Sequence, residues 1–570
     1  MPEEPIRAYE FGPFRLEPRE RQLRRNGRLV PLTPKAFDTL QALVQSGGRA
    51  VSKDELMTSV WPDTNVAEAT LAQNIFAVRK ALGDADAIET VPKYGYRFVT
   101  PVRQLRQSAD KVILAVLPFE NLSRDPEQEY FSDGLTDEMI TQLGRLNPRR
   151  LGVIARTSAM KYKLTNKTVT EIGRELGVSY LLEGSIRSAG ARVRVTAQLI
   201  QVADQTHVWA ESYERRFDDI LILQSDIARA IAKQIDVTLT PVEATRLARA
   251  AAISPQAHAA YLKGRYCWNK RTEEGLKKGI EYFNEAIAHE PGFAAAYDGV
   301  SDCYVMLACR GVLPVRETFQ RARTAARRAL ELDGALGEGH ASLAHVRLHG
   351  WDWDGLDDDF RRALELNPAH AIAYYWYGEY LMAVGRADEA IAMVHTALQM
   401  DPLSSVLSAS LGMILYLARR PDESLACLWK ALDVDPDHFL LHLRLGLVLA
   451  HSGSRLEAID EMKRSVTLSG RSTETLTGLA QAYAASGMPQ EMQTIVDELS
   501  DQARHRYVSP YNVARVFAAA RDVETAFAWL EKAYDEHNPD LIELRAEPVF
   551  DSIRADRRFA DLLRRVGWRS

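Results

Sequence analysis

Apolar positions change their spacing along the chain, and each change predicts a different kind of layer. Around Tyr9 to Phe14 and Leu29 to Leu32 they alternate in short segments, split by Gly12 and by Asn26-Gly27. Asn-Gly between alternating runs predicts a hairpin, because both residues tolerate the positive φ of a two-residue turn. Helical spacing follows. Thr33 before Pro34 reads as an N-cap with a first-turn proline, and Ser52 with Glu55 as a capping box ahead of Leu56, Val60 and Trp61. A third helix is predicted over Val66 to Leu82, opened by Asn65 with Glu68 as reciprocal cap and closed by Gly83. Within it Leu71, Ile75, Val78 and Leu82 fall on one narrow stripe that faces a core. At roughly 100° per residue the opposite face carries Thr70, Gln73, Ala77 and Lys80, with Asn74 and Arg79 on its flanks. Ile88 to Val91 and the run to Phe98 read as a final hairpin with its tip near Lys93 to Gly95. Residues 8–102 therefore predict an α+β domain.

Between residues 111 and 238, apolar runs alternate with amphipathic stretches. Val112 to Phe119 and Gly152 to Ala155 read as strands around a helix near Phe131 to Leu146. Tyr180 to Ser188 and Val193 to Val202 flank Gly190 as a hairpin, His207 to Tyr213 adds a strand, and a helix runs from about Asp219 to Val237. A small α/β domain is implied.

From residue 255 to the end the pattern is a repeat. The turn residues Gly334, Pro368, Pro402, Pro436 and Gly470 recur every 34 residues, as do Gly378, Gly412 and Gly446, and Ala363, Ala397 and Ala431. Small residues at fixed positions let paired helices approach closely, and this is the tetratricopeptide period. An earlier unit ends at Pro291, which implies an insertion near Cys309 to Val315; in all, about eight helix pairs are expected from 258 to 537. An amphipathic tail with Phe550, Ile553, Phe559, Leu562 and Leu563 is expected to cap the exposed end. The predicted fold class is thus multidomain: an α+β domain with strand-helix-helix-helix-hairpin order, a small α/β domain, then an all-α tetratricopeptide solenoid.

Charge and composition narrow the function. The chain has 46% hydrophobic and 26% charged residues, as ordinary folded proteins do. Residues 1–105 hold 15 Lys/Arg against 13 Asp/Glu, while the whole chain has a formal net charge of -6, so the N-terminal part alone leans basic. Such a bias permits DNA contact without demanding it. Cys267, Cys303, Cys309 and Cys427 match no zinc or redox spacing, which fits reduced thiols in a cytosol. The acidic start MPEEPIRAYE lacks the order of a signal peptide, and no apolar run approaches the roughly twenty residues of a spanning helix. The expectation is a cytoplasmic protein without membrane contact.

The residue strings LTPKAFDTLQALV, VSKDELMTSVW, NIFAVRKALGD and ETVPKYGYRFV, in this order and spacing, resemble the OmpR-type winged-helix family, and the VPKYGYRF ending is similar to its CadC-like members. The resemblance implies double-stranded DNA as partner, with RNA polymerase and a second copy of the chain as further partners. On it, Thr70, Gln73, Asn74, Ala77 and Lys80 would read the major groove, since amides suit adenine, a lysine suits guanine or phosphate, and small apolar groups suit a thymine methyl. Thr33, Lys35, Arg79, Lys93, Tyr94 and Arg97 would serve phosphates or the wing. Thr33 is equally explained by capping, Arg79 by an ion pair inside the domain, and Phe76 by packing on a neighbouring helix. The strings VLPFENLSRDPEQEYFSDGLTDEMITQL, EIGRELGVSYLLEGSIR and VTAQLIQVADQTHVWAE resemble the FlgO-like domain related to the TolB amino-terminal domain. With neither a receiver domain nor a membrane span in view, control is expected to act through the middle domain or the repeats, whose concave surface suits a protein or peptide partner.

Catalytic signatures do not appear: there is no phosphate loop, HExxH, GxSxG or dinucleotide fingerprint, so neither enzyme activity nor a cofactor is expected. Two acidic groups, Asp352 to Asp359 and Glu127, Glu129, Asp133, Asp137 and Glu138, read as solvated charge and capping rather than as metal ligands. His207 beside Trp209 reads as structural. Trp351, Trp353 and the run Tyr374 to Tyr377 are open between core packing and a ligand groove.

Overall fold

The short alternating segments become β1 (Ile6–Phe11), β2 (Phe14–Glu17), β3 (Gln22–Arg25) and β4 (Arg28–Val30), followed by α1 (Pro34–Gln45), β5 (Val51–Ser52), α2 (Lys53–Val60), α3 (Glu68–Leu82), β6 (Ile88–Val91), β7 (Gly95–Phe98) and β8 (Arg103–Arg106). The computed structural model describes the chain outside residues 1–5, 18–20, 26–27, 63–65, 84–86, 107–110, 124–127, 149, 190–191, 217–218, 238–239, 241–252, 310–311, 314 and 569–570. The turn predicted at Asn26-Gly27, the cap at Asn65, the hairpin glycine Gly190 and Glu127 lie outside the described residues. The chain forms two units, residues 1–111 and 112–570.

In the first unit one sheet runs β4-β3-β2-β1-β8 and a second runs β5-β7-β6. The return of β8 to β1 was not visible in the apolar pattern. Between the sheets the stripe of α3 (Leu71, Ile75, Val78, Leu82) packs with Phe37 and Leu40 of α1, Tyr9 and Phe11 of β1, and Phe98 of β7. Ser52 Oγ accepts the Glu55 N–H at 3.1 Å, but the Glu55 carboxylate turns to Arg49 at 2.5 Å, so only half of the capping box forms. A guanidinium outcompetes a neutral N–H for a carboxylate. Likewise α3 starts at Glu68 with Ala67 as a cap that has no side-chain bond, and the Glu68 carboxylate pairs with Lys53 at 2.6 Å.

The second unit opens with β9 (Val112–Val116), β10 (Glu120–Asn121), α4 (Glu129–Gly144), β11 (Leu151–Val153), α5 (Arg156–Ala159), α6 (Val169–Leu176), β12 (Tyr180–Ala189), β13 (Arg192–Gln201), β14 (Thr206–Arg216) and α7 (Ile220–Gln234). Their sheet has the order β11-β9-β12-β13-β14, with β10 beside β12. β9 pairs in parallel with β11 and β12, and β12, β13 and β14 form an antiparallel meander. Alternate residues of β9 divide between the two faces: Leu114 and Val116 meet α4 and α7, while Ala115 meets Ile172 and Leu176 of α6. His207 is exposed beside the buried Trp209.

Eight helix pairs follow among the described residues, from Pro255–Asn269 with Glu273–His289 to Pro510–Ala519 with Val523–Asp535. The recurrent glycine is a packing requirement: a Cβ on Gly412 would lie 2.6 Å from Leu428 of the paired helix. The tail does more than cover the last pair. Phe550 and Phe559 pack with Tyr511, while the Trp568 indole N–H donates to Ala383 O at 3.0 Å and the Trp353 indole N–H donates to Val566 O at 2.9 Å, tying the C-terminus back to the middle repeats. Trp351 stacks on His537 at 3.8 Å. No helix among the described residues is long and apolar enough to cross a membrane.

The α/β domain is docked against the repeats. Leu262 of the first repeat helix fills the space above Gly134 of α4. Ser158 of α5 donates its N–H to Asp401 at 2.9 Å and accepts the Leu403 N–H at 2.8 Å, beside an Ala155 N–H bond to Met400 O. Arg145 pairs with Glu338. Acidic residues expected to be solvated are paired instead: Asp137 on Arg265 (3.2 Å) and Glu138 on His258 (2.7 Å) across this junction, and Asp133 on Lys163 (2.6 Å) within the α/β domain. Asp352 and Asp359 both meet Arg347. None of the four cysteines is in a disulfide.

Candidate nucleic-acid interface

With its apolar stripe fixed in the core, α3 presents Ala69, Ala72, Gln73, Phe76 and Lys80 as its exposed arc. Phe76 and Ala69 sit at its centre, with Lys80 and Gln73 toward one end. Thr70, Asn74 and Ala77 lie on one edge and are half-buried, and the Asn74 amide donates to Thr70 O at 2.9 Å. Phe76, which the sequence left between packing and exposure, is 69% exposed. Three alanines on and beside this arc leave the backbone close to whatever approaches it, and a phenylalanine or alanine is the apolar contact a thymine methyl takes. The signal for Ala69, Ala72 and Phe76 was present in the helical period, a few tens of degrees from the face first assigned.

Arg79 takes the internal role. Its Nε donates to Ile88 O at 3.1 Å and its Nη2 to Thr90 Oγ1 at 3.0 Å, which pins α3 to the first strand of the wing. Thr33 Oγ1 accepts the Ala36 N–H at 3.4 Å, a cap. Lys35 donates to Val60 O at 2.5 Å and lies over the Trp61 ring, so it braces α1 against the end of α2.

The wing is β6, the turn Val91 to Tyr94, and β7. Pro92 presets the second turn position, Lys93 takes the left-handed conformation (φ 61°), and the Tyr94 N–H closes the turn on Val91 O. Next, Gly95 admits no side chain, because a Cβ would stand 1.9 Å from Val51 O of the strand pairing with it. Lys93 and Tyr94 are exposed at the tip, and Arg97 is exposed with Glu89 3.4 Å away. Among the described residues of α3 and the wing, Lys80 and Lys93 are cations without an ion-pair partner, whereas Lys53 and Arg49 nearby are neutralised by Glu68 and Glu55.

A second surface lies in the other unit. The first helix of each repeat pair contributes to a cavity of about 1970 Å³, closed on one side by α4 and α5 and on another by Pro539 to Glu543. Tyr375 and Trp376 line it, whereas Tyr377 is turned to Asp357 and Tyr374 to Pro368 O. The lining is acidic and desolvated: burial pushes Glu379 up to about 8 and Glu543 up to about 7. Burial also opposes ionisation of Glu338, yet the Arg145 guanidinium holds it down at about 2.

Residues 27–98 match the family described as transcriptional regulatory protein, C terminal, and residues 109–230 match the HilA/YgeH-like transcriptional regulator, second domain. The chain is built like a HilA/CadC-type regulator. Its tetratricopeptide matches cover residues 358–405 and 410–472. The middle region is thus HilA-like, which corrects the FlgO and TolB expectation: apolar strands and capped helices of this kind specify a small α/β layer, not one family of it. The transcriptional regulator HilA of Salmonella typhi is 24% identical over 390 residues, 65% of this chain and 67% of that protein. The activator CadC of Escherichia coli is 38% identical over 96 residues, 16% of this chain and 19% of that protein. A putative adenylate cyclase 3 of Rhizobium meliloti is 34% identical over 237 residues, 41% of this chain, and the match spans only 40% of its length.

Proposed function

We propose that the chain is a one-component transcription regulator of the HilA/CadC type that binds double-stranded DNA through its N-terminal unit and is controlled from its second unit. The observation that carries this reading is the exposed arc of α3, where Gln73, Phe76 and Lys80 are left unspent by a domain that otherwise pairs most of its charges. Gln73 reads a base edge, Lys80 a guanine or phosphate, and Phe76 with Ala77 a thymine methyl; Thr70 and Asn74 border the groove. Lys93 and Tyr94 meet phosphate or the minor groove at the wing tip, joined by Arg97, while Thr33, Lys35 and Arg79 act by holding the helices in place. RNA polymerase and a second copy on paired half-sites are the further partners, and the repeats take a ligand or peptide small enough for the remaining cavity.

Binding of the purified full chain to genomic duplex fragments, followed against salt, tests this. Log affinity should fall steeply and linearly with log salt, because each neutralised phosphate releases counterions. No binding even at low salt would leave a tetratricopeptide scaffold without DNA affinity as the better account. The likeness to a named cyclase favours one other reading, regulation of a nucleotide-signalling enzyme, which nucleotide turnover by this chain or its coupled partner would reveal.

A further inference from the structure

The cavity wall contains a group of side chains that neither the DNA reading nor the docking of the α/β domain uses. His345 and His349 sit one turn apart on the repeat helix Gly337–His349, and Glu379 reaches them from the next repeat's first helix, Ala371–Ala383. One ligand atom from each lies within 4.8 Å of the others. His345 Nε2 is 3.1 Å from His349 Nε2 and 3.7 Å from Glu379 Oε2. A tetrahedral zinc ion with bonds of about 2.0 to 2.1 Å needs ligand atoms roughly 3.3 Å apart, so these separations already approximate a coordination face.

The surroundings prepare each group as a ligand. Pro539 O can only accept, so His349 Nδ1 carries the proton it shares with that carbonyl at 3.3 Å, and its Nε2 presents a lone pair. This is the outer-shell bond that orients a ligating imidazole. The His345 ring is held flat against Trp376 at 4.1 Å. Glu379 Oε1 accepts the Tyr375 O–H at 2.7 Å, while its Oε2 is buried with no hydrogen-bond partner among the described residues. With Nδ1 given to Pro539 O, His349 Nε2 accepts the His345 Nε2–H at 3.1 Å; an ion that displaced that one proton would meet two imidazole nitrogens and the buried Glu379 Oε2 that has no hydrogen bond among the described residues.

We propose that His345, His349 and Glu379 bind one divalent transition-metal ion of zinc's class, with a fourth position open to the cavity. Imidazole and carboxylate donors suit zinc and its neighbours rather than calcium or magnesium, and three protein ligands with an open position are the arrangement of a site that takes an exogenous ligand. The ion would clasp two repeats to the carbonyl of the C-terminal segment that closes the cavity.

The test is a titration of the untagged, chelator-stripped full chain with zinc by calorimetry, and with cobalt by its visible ligand-field absorption. One ion per chain is expected, with an intense cobalt band of low coordination number. Since loss of an outer-shell partner alone costs 10- to 100-fold in metal affinity, His349→Ala and Glu379→Gln should each weaken zinc by at least about 100-fold. His395→Ala, an exposed histidine on a different helix, should leave binding unchanged. Glu379→Gln preserves shape, so it decides the matter if His349→Ala fails to fold. No stoichiometric binding, or zinc affinity and a cobalt spectrum unchanged in Glu379→Gln, overturns the assignment.

Discussion

On the exposed arc of α3 the polar side chains Gln73 and Lys80 have no internal partner among the described residues, whereas along the inner side of the repeats Glu338, Asp401 and Arg265 are each bonded to the α/β domain. The contrast separates a surface waiting for something outside the molecule from one largely filled by the molecule itself. A solenoid's concave face is a default protein-binding surface. Here much of it already holds α4, α5 and the C-terminal segment, so under the proposed function a partner of the repeats would have to fit the residual cavity or displace one of these.

The filled surface breaks first, and by the most. Arg145→Met leaves the Glu338 carboxylate buried without its cation, and removing one partner of such a pair costs about 3 to 5 kcal/mol. Denaturant unfolding of the full chain should show that loss in the second unit's transition only. Its pH dependence should also change sign. In the parent, Glu338 is held at about 2 against 4.5 unfolded, so its stabilisation is complete above about pH 4.5 and disappears as pH falls toward 2. Without Arg145, burial raises that carboxyl, and acidification should stabilise the variant through the same group.

On the other surface the largest effect is expected from Gly95→Ala, where the new Cβ meets a backbone oxygen at 1.9 Å. Separating β5 from β7 should cost about 3 kcal/mol and abolish DNA binding, leaving the second unit's unfolding untouched. Arg79→Ala should cost about 1 to 2 kcal/mol by leaving Ile88 O without its donor, while any remaining DNA binding keeps its base preference; a changed preference would return Arg79 to the reading set. The smallest effect belongs to Lys93→Ala, a uniform weakening on all sequences with the salt slope reduced by about one.

Much of this contrast is legible in the sequence. The 34-residue step located the helix pairs because a close-packed array repeats its small residues at fixed positions. The buried stripe of α3 followed from its period for the same reason. What escaped were contacts between residues far apart in sequence: Ser158 with Asp401, Trp568 with Ala383, and the meeting of His345, His349 and Glu379 across a repeat boundary. Periodicity shows that a helix has a face but not what that face will meet. The same limit explains why Asp133 and Asp137 read as solvated charge, since their partners Lys163 and Arg265 lie on other elements. Within α3, Phe76 is ambiguous in the sequence because an aromatic on an amphipathic helix is ordinarily buried, and its exposure depends on how α3 is rotated against α1.

The central claim is that the free arc of α3 reads bases. Selection of bound sequences from a randomised duplex pool, run in parallel with the parent chain and Gln73→Ala, tests it most directly. The account predicts a defined site for the parent and, for the variant, a preference relaxed by about 1 to 3 kcal/mol at one or two base pairs with the rest of the site retained. An identical preference in both proteins, or an equal loss of affinity for every sequence, would contradict it.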